Sequence, residues 1–381
     1  MILTTSFPLR RDHISGVFVH RMVTHLPPEI RVRVVAPADQ YEGCTPLGNY
    51  HLVCLRYAPR PLRTLAQASG GLPRSLKSNP LKLFALPLLV ASLFYGCLRY
   101  GRRANLIHAQ WALNGAIAGL CGKVLRRPAI TTLRGSDVRL AKKSWLHRLL
   151  LDLTIRLNER VVAVGLEMQE DLKKRFGARN TIEFIPNGVA SNSSDRAQND
   201  GPLRIVTVGS LIAHKGMDVV IAALAAAGNG LELTVVGDGP EMHQLKAQAA
   251  QLGVARKIAF TGAVAPDEIP ALLATNDVFV LMSLGEGRSN AVLEAMAAGL
   301  AVVVAAAPGM SELISHNATG VLVPTGDATA LADTLKHLHS QADIRRRLGE
   351  NARQWVADNM PSWHETGRRY AELYKQVLRA R

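Results

Sequence analysis

The stretch VFVLMSLGEGRSNAVLEAMAAGLAVVVAAAPGMSELI, residues 278–314, decides how the chain is read. Residues 278–282 form an apolar run of strand length, and a polar, glycine-containing loop follows at 283–290. Residues 291–298 consist largely of strong helix formers, and Gly299 supplies a left-handed stop. Residues 301–307 are a second buried strand, so the whole is a β-loop-α-β unit. In an open parallel sheet, ligands sit at the carboxyl ends of the strands. Glu286 lies in the loop and Glu294 lies one turn into the helix, eight residues on. With Ser289 or Asn290 as N-cap, both carboxylates reach a helix start whose free N–H groups and positive dipole suit a phosphate.

At 381 residues the chain is long enough for two domains with full cores. A hydrophobic share of 48% and a charged share of 20% fit a globular protein. Residues 1–190 carry 28 Lys and Arg against 11 Asp and Glu, whereas residues 191–381 carry 17 against 19. The first half therefore holds the whole positive excess. No nucleic-acid module accompanies it, and aromatics do not alternate with the basic residues, so a nucleic-acid partner is not expected. An anionic membrane surface fits better, with a solvated basic face around a core helix as the alternative: Arg60, Arg63, Arg74, Lys77 and Lys82 precede an apolar run at 83–98, and Arg99, Arg102 and Arg103 follow it. That run contains Pro87 and falls short of the roughly 20 residues needed to span a bilayer, so a buried or interfacial helix is expected. Cys44, Cys54, Cys97 and Cys121 show no C-x-x-C spacing and no pairing rhythm. Unpaired thiols, no zinc and a reducing cytoplasm are expected. Met1-Ile2-Leu3 reads as a strand rather than as part of a signal peptide.

Along residues 1–190, strands are expected at 2–5, 32–36, 106–108, 129–133, 160–164 and 182–185, alternating with helical runs as in a doubly wound fold. Ser15-Gly16 leads into a helix at about 17–26, and a glycine at such a turn lets an anion approach the backbone. His108 ends one strand, and Arg134 follows another in TLRGSDV. Residues 191–202 are polar without apolar period and read as a linker. After it, residues 203–208 form a strand ending at Gly209, and SLIAHKG leads from Ser210 through Lys215 into a helix near 217. Residues 258–262 are a further strand, followed by Ala263-Val264. A helix is expected from 311 behind Pro308-Gly309, and three more occupy 328–339, 341–359 and about 362–380.

The run E-x7-E followed by A-M-A-x-G, after a hydrophobic strand, resembles the retaining glycosyltransferases of family 4. Their fold is GT-B, an α/β architecture of two Rossmann-like domains whose parallel sheets face across a cleft. The resemblance implies an acceptor-binding domain at 1–190, rejoined by the last helix at about 362–381, and a nucleotide-sugar-binding domain at 203–361. Donor contacts are then expected at Gly16, Gly209, Ser210, Lys215, Val264, Gly287, Arg288, Ser289, Asn290 and Glu294. Glu286 takes the donor sugar, Glu294 the ribose, and Lys215 the leaving diphosphate. Two positions depart from the family: Ser210 stands where an arginine is usual, and Arg134 where a histidine is usual. Arginine cannot serve as a base, but it can clamp a phosphate or the acceptor, and either Arg134 or Arg288 is a conceivable substitute for the missing cation. Glu286, Arg134 and His108 form the expected catalytic set.

Glycosyl transfer requires an anchored donor, a neutralised leaving diphosphate and a short-lived oxocarbenium-like centre. The sequence has no Asp-x-Asp pair to hold a divalent metal, so no metal and no further cofactor are expected. The partners expected are a UDP- or GDP-sugar and a lipid-linked or glycan acceptor of cell-surface polysaccharide or lipopolysaccharide synthesis, at the inner face of the plasma membrane. The alternatives are a transferase for a small soluble acceptor and a non-catalytic GT-B partner subunit that only binds nucleotide sugar.

Overall fold

The computed structural model describes residues 1–9, 15–38, 50–66, 84–177, 181–190, 201–286 and 288–380. The chain divides into two compact units, residues 1–188 with 363–381 and residues 189–362. Residues 191–200 of the expected linker lie outside the described residues.

The first unit is a seven-stranded sheet built from β1 (Ile2–Leu3), β2 (Arg33–Pro37), β3 (His51–Leu55), β4 (Ile107–Gln110), β5 (Ala129–Leu133), β6 (Arg160–Ala163) and β7 (Thr181–Phe184). Its order is β3-β2-β1-β4-β5-β6-β7, and every pair is parallel. The winding reverses between β1 and β4, which opens a crevice at their carboxyl ends. Helices α1 (Val17–Thr24), α2 (Ala85–Gly101), α3 (Ala112–Leu125), α4 (Ser136–Lys143), α5 (Trp145–Leu157) and α6 (Leu166–Phe176) cover the faces. Strand β3 was not among the strands expected from the sequence; it is a short edge strand whose middle residues are only half-buried. The sequence also gave no sign of α3, whose Gly115 and Gly119 lower its propensity. A Cβ at either would stand 2.5 Å from α5 atoms, Thr154 Cγ2 and Leu157 Cβ respectively, so the missing side chains let two helices close on each other.

The last helix, α13 (Trp363–Arg379), also belongs to this unit. Trp363, Tyr370, Leu373, Tyr374 and Val377 share one core with Phe7, Met22 and Val34. At Gly367 a Cβ would meet the His25 carbonyl oxygen at 1.9 Å, so α13 lies directly against the end of α1.

The second unit is a six-stranded parallel sheet with the order β10-β9-β8-β11-β12-β13. Its strands are β8 (Leu203–Val208), β9 (Leu231–Val236), β10 (Ile258–Gly262), β11 (Val278–Leu281), β12 (Ala301–Ala305) and β13 (Val321–Val323). Here the winding reverses between β8 and β11. Helices α7 (Met217–Ala227), α8 (Met242–Gln251), α9 (Ile269–Ala274), α10 (Asn290–Ala297), α11 (Ala328–Ser340) and α12 (Ala342–Asn359) complete it. β11 and β12 are buried on both faces, which explains their uninterrupted apolar composition. The helix expected from 311 is absent. One helical turn forms as Leu313 and Ile314 both donate to the Met310 carbonyl. The Ser315 N–H then bonds Thr319 Oγ1, and Asn317 adopts a positive φ of 60°, so the turn does not propagate.

The cysteine expectation also needs correction. Cys97 and Cys121 are free and buried, but Cys54 is disulfide-bonded. No described helix is long and apolar enough to cross a membrane.

Candidate active site

The carboxyl ends of β8 and β11 are neighbours at the switch point of the second sheet, and the loops leaving them carry Lys215 and Glu286. The β8 loop ends in a 3-10 turn, Ala213–Lys215, closed by Gly216 at φ 64°. A Cβ there would lie 2.3 Å from the Met282 carbonyl oxygen, so this turn presses on the end of β11. His214 ties the two loops together: its Nε2 lies 2.6 Å from the Gly285 carbonyl oxygen, and its own carbonyl accepts from the Leu284 N–H at 2.9 Å. The β12 loop grips Glu286 from the other side. The Glu286 N–H donates to the Pro308 carbonyl at 3.0 Å, and Gly309, at φ 83°, leaves room for the Glu286 carbonyl oxygen.

Held this way, Glu286 Oε1 accepts from Lys215 Nζ at 2.5 Å and from Ser283 Oγ at 2.7 Å. The two charged side chains are 19% and 16% exposed, so the pair is largely but not wholly screened from water. Burial pushes the Glu286 carboxyl up, but the Lys215 charge, the two hydrogen bonds and His214 together outweigh it, and the group sits below its ordinary 4.5. Glu286 is therefore a fixed negative charge at neutral pH. Lysine has three N–H donors. One goes to Glu286, and among the described residues the other two have no hydrogen-bond partner, so the group is able to meet an anion. A Cβ at Gly209 would meet the Lys215 stem at 3.7 Å, an ordinary contact.

Helix α10 begins beside this pair. Ser289 is its N-cap, accepting from the Val292 N–H at 3.5 Å, and Asn290 is its first residue. Glu294 follows one turn on and is half-buried. Thus Lys215, Glu286, Ser289, Asn290 and Glu294 are gathered on the loops and helix of two adjacent strands, with Gly209 and half-buried Ser210 at the end of β8. Val264 follows β10, two strands from β8, and packs in part on the core. Gly287 lies outside the described residues.

Arg288 does not fill the place of the missing cation. Its side chain is 2% exposed, with Nη1 2.8 Å from Glu312 Oε1 and Nη2 2.8 Å from Met360 Sδ. A buried guanidinium demands an anion, and Glu312 supplies it from the segment after β12. Ser283, His214 and Glu312 were not singled out from sequence. Each acts through a partner that only the fold brings near.

The first unit has its own polar cluster at its switch point. His108 is fully buried, with Nδ1 2.8 Å from the Tyr374 hydroxyl, Nε2 2.8 Å from Thr132 Oγ1 and 3.1 Å from Gln110 Nε2. Tyr370 packs on its ring at 5.3 Å and bonds Thr132 Oγ1 at 3.0 Å. The expected catalytic role for His108 is therefore corrected: it is a satisfied core histidine. Burial first, then Arg134 and the N-terminal charge, hold its pKa well below 6.5. The unfolded chain then takes up a proton that the folded one refuses, so stability falls as pH drops below about 6.5. Between pH 7.5 and 5, His108→Gln is expected to lose less stability than wild type, by roughly 1–2 kcal/mol in urea unfolding. Parallel pH slopes in the two proteins would contradict this reading.

Arg134, after β5, is half-buried. Its Nε and Nη2 donate to Gln110 Oε1 at 3.1 and 2.7 Å, its Nη1 donates to Asn187 Oδ1 at 2.6 Å, and its guanidinium lies 4.7 Å from the Phe18 ring centroid. These side-chain partners are neutral and orient the cation, while the buried Asp137 carboxyl, which accepts from the Arg134 backbone N–H at 3.3 Å, acts on it through space. Beside it, Trp111 adopts φ 67°, an uncommon conformation for so bulky a residue, and its ring meets Phe18 edge-on at 5.9 Å. Gly16 caps α1 at φ 73°, and the space its Cβ would take is filled by the Ser6 carbonyl at 2.2 Å. The lack of a side chain at Gly16 thus serves the loop's own packing.

Two parallel-sheet Rossmann-like units, the last helix joined to the first unit and a Lys–Glu pair at the switch point of the second define the GT-B class. The description "Glycosyltransferase Family 4" matches residues 15–192, and "Glycosyl transferases group 1" matches residues 190–355. The chain belongs to this glycosyltransferase family. It is 32% identical over 205 residues to a GDP-mannose-dependent alpha-(1-6)-phosphatidylinositol monomannoside mannosyltransferase of Mycobacterium tuberculosis. That match covers 48% of this chain and spans about half, 52%, of the relative. The amylovoran biosynthesis glycosyltransferase AmsK of Erwinia amylovora is 29% identical over 377 residues, covering 89% of this chain and 91% of that one. A sucrose-phosphate synthase from Thermosynechococcus elongatus has the same fold, with a TM-score of 0.80 at 19% identity over 100% of this chain and 99% of the other.

Proposed function

We propose that this chain transfers a sugar from a UDP- or GDP-sugar to a lipid-linked or glycan acceptor, with retention of configuration at the anomeric carbon and without a metal ion. The observation that carries this reading is the Lys215–Glu286 pair at the second switch point, next to the start of α10. The remaining Lys215 N–H groups and the α10 backbone N–H groups meet the diphosphate, neutralising the charge that develops on it. Glu286 contacts the sugar hydroxyls near the reacting carbon, where its fixed negative charge favours an oxocarbenium-like centre. Glu294 bonds the ribose hydroxyls.

The acceptor oxygen attacks the anomeric carbon from the face the diphosphate leaves. The bond from that carbon to the phosphate oxygen breaks, the new glycosidic bond forms, and the acceptor's proton passes to the departing phosphate. This route asks for no protein base, in keeping with the burial of His108 and the arginine at position 134. The mannosyltransferase relative, by its name, uses GDP-mannose and a phosphatidylinositol mannoside, which supports a nucleotide-sugar donor and a lipid-linked acceptor here.

In a thermal-shift screen of UDP-, GDP- and ADP-sugars, one nucleotide class is expected to raise the melting temperature by several degrees, since a ligand of the native state stabilises by mass action. Transfer with that donor is expected to survive EDTA. Activity abolished by EDTA and restored by magnesium would overturn the metal-free reading. Binding of the donor without any turnover or hydrolysis would favour a non-catalytic partner subunit.

A further inference from the structure

The first unit exposes a large apolar and basic surface that sugar transfer does not explain. Helix α2 leaves Phe84, Leu88 and Tyr95 at 78%, 47% and 64% exposure along one side. α2 packs beside α3, and α3 packs beside α5, so the three helices form one layer. α3 adds exposed Leu120 and Val124, and α5 adds Trp145, Leu146 and Leu149, with Trp145 at 75% exposure. Most of the exposed large apolar side chains among the described residues are on this layer. The sequence had pointed to the apolar run of α2 and its flanking basic residues, but not to α3 or α5.

The charge on the same layer is almost all of one sign. The three helices and the residues directly following the first two (84–103, 112–127 and 145–157) contain eight Lys and Arg and one acid, Asp152. Asp152 is paired with Arg156 at 2.9 Å. Exposed Arg99, Arg102 and Arg103 follow the apolar stripe of α2, while exposed Lys143 and Arg148 flank Trp145. Beside Trp145 and Leu149 runs a groove of about 880 Å³, walled by Phe176 and rimmed by Arg148, Arg175 and the Asp152–Arg156 pair.

We infer that this three-helix layer is a membrane-docking face and that its occupant is an anionic bilayer surface. An apolar stripe alone would fit many partners. Apolar side chains interspersed with uncompensated arginines fit a surface that offers phosphate groups above hydrocarbon. Exposed Trp and Tyr are the side chains that settle at that boundary. α2 has 17 residues and lies on the unit's own core through Leu89, Leu93 and Cys97, so the face rests on the bilayer and does not enter it as a span. The face stands on these observations alone. The lipid-linked acceptor proposed above gives it a use, since docking would bring enzyme and acceptor to one surface.

Co-sedimentation with vesicles of phosphatidylcholine alone or with one-third phosphatidylglycerol tests this. Wild type is expected to pellet with the anionic vesicles, to stay in solution with the neutral ones, and to be released by 0.5 M salt, as screening requires. A variant with F84S, Y95S and W145S, and one with R99Q, R102Q and R103Q, are each expected to lose at least tenfold in vesicle affinity. About 1 kcal/mol per surface cation corresponds to roughly fivefold for each arginine. Both variants alter exposed side chains and are expected to keep the wild-type melting temperature and donor-induced thermal shift. Blue-shifted Trp145 emission on vesicle addition, lost in W145F, provides a second readout. Wild type that ignores anionic vesicles overturns the inference, as does a concentration-dependent dimer dispersed by the apolar variant without vesicle binding. Vesicle binding without hydrolysis of any nucleotide sugar would instead retain the face and remove the transferase reading.

Discussion

Glu286→Gln is expected to lower turnover by a factor of about 100 to 10,000 while donor affinity changes only a few-fold, the pattern of an interaction made mainly in the transition state. Glutamine keeps the shape of the side chain, and its carbonyl oxygen still accepts from Lys215 and Ser283. What it loses is the negative charge that those two groups keep ionised. The developing positive charge at the sugar's reacting carbon then has no fixed counter-charge at this position. The check is kcat and donor KM measured side by side. A raised KM with unchanged kcat would make Glu286 a ground-state binder only, and wild-type kinetics would remove it from the site.

Lys215→Met is expected to cut kcat/KM for the donor by about 100- to 1,000-fold, with both KM and kcat affected, because the ammonium meets the diphosphate before and during its departure. The same change leaves the 16%-exposed Glu286 side chain with Ser283 Oγ, at 2.7 Å, as the hydrogen-bond donor that remains to its Oε1. Removing one partner of such a pair costs about 2 kcal/mol or more, discounted here for its partial exposure. Burial then dominates at Glu286, so its carboxyl pKa rises and the acidic limb of the activity profile moves to higher pH. The sign follows from the folded state: with Lys215, the carboxylate remains charged until pH falls below its ordinary 4.5. Lys215→Arg restores a cation and is expected to recover part of the donor affinity. An unshifted acidic limb in Lys215→Met would show that the pair does not control Glu286.

The strand, loop and helix that carry the proposed donor site were legible in the sequence because they are local. Strand, loop, cap and helix from 278 to 298 run consecutively, so Glu286, Ser289, Asn290 and Glu294 could be placed by counting residues. Lys215 was reachable because its own strand and turn were equally plain. What failed was long-range. His108 was read as a candidate for catalysis because its satisfiers, Tyr370 and Tyr374, lie on a helix more than 260 residues away. Arg288 was offered, as an alternative to Arg134, for the missing cation because nothing in its own loop announces Glu312. Short motifs give the position of a charged group. They do not say whether a distant part of the chain has already neutralised it.

The apolar and basic layer of the first unit shows the same limit from the other side. Its stripe on α2 was visible in the sequence, but Trp145 and Val124 become part of it only when α3 and α5 are laid beside α2. Cys54 was misread for the same reason: spacing gave no sign of the disulfide in which it takes part.

The most direct measurement is release of nucleoside diphosphate from a panel of UDP- and GDP-sugars by the purified protein, with wild type and Glu286→Gln run in parallel. Slow hydrolysis of one donor by wild type, at least a hundredfold slower in the variant, is the expected result. No release from any donor, or equal release by both proteins, would contradict the assignment of the Lys215–Glu286 pair as the centre of sugar transfer.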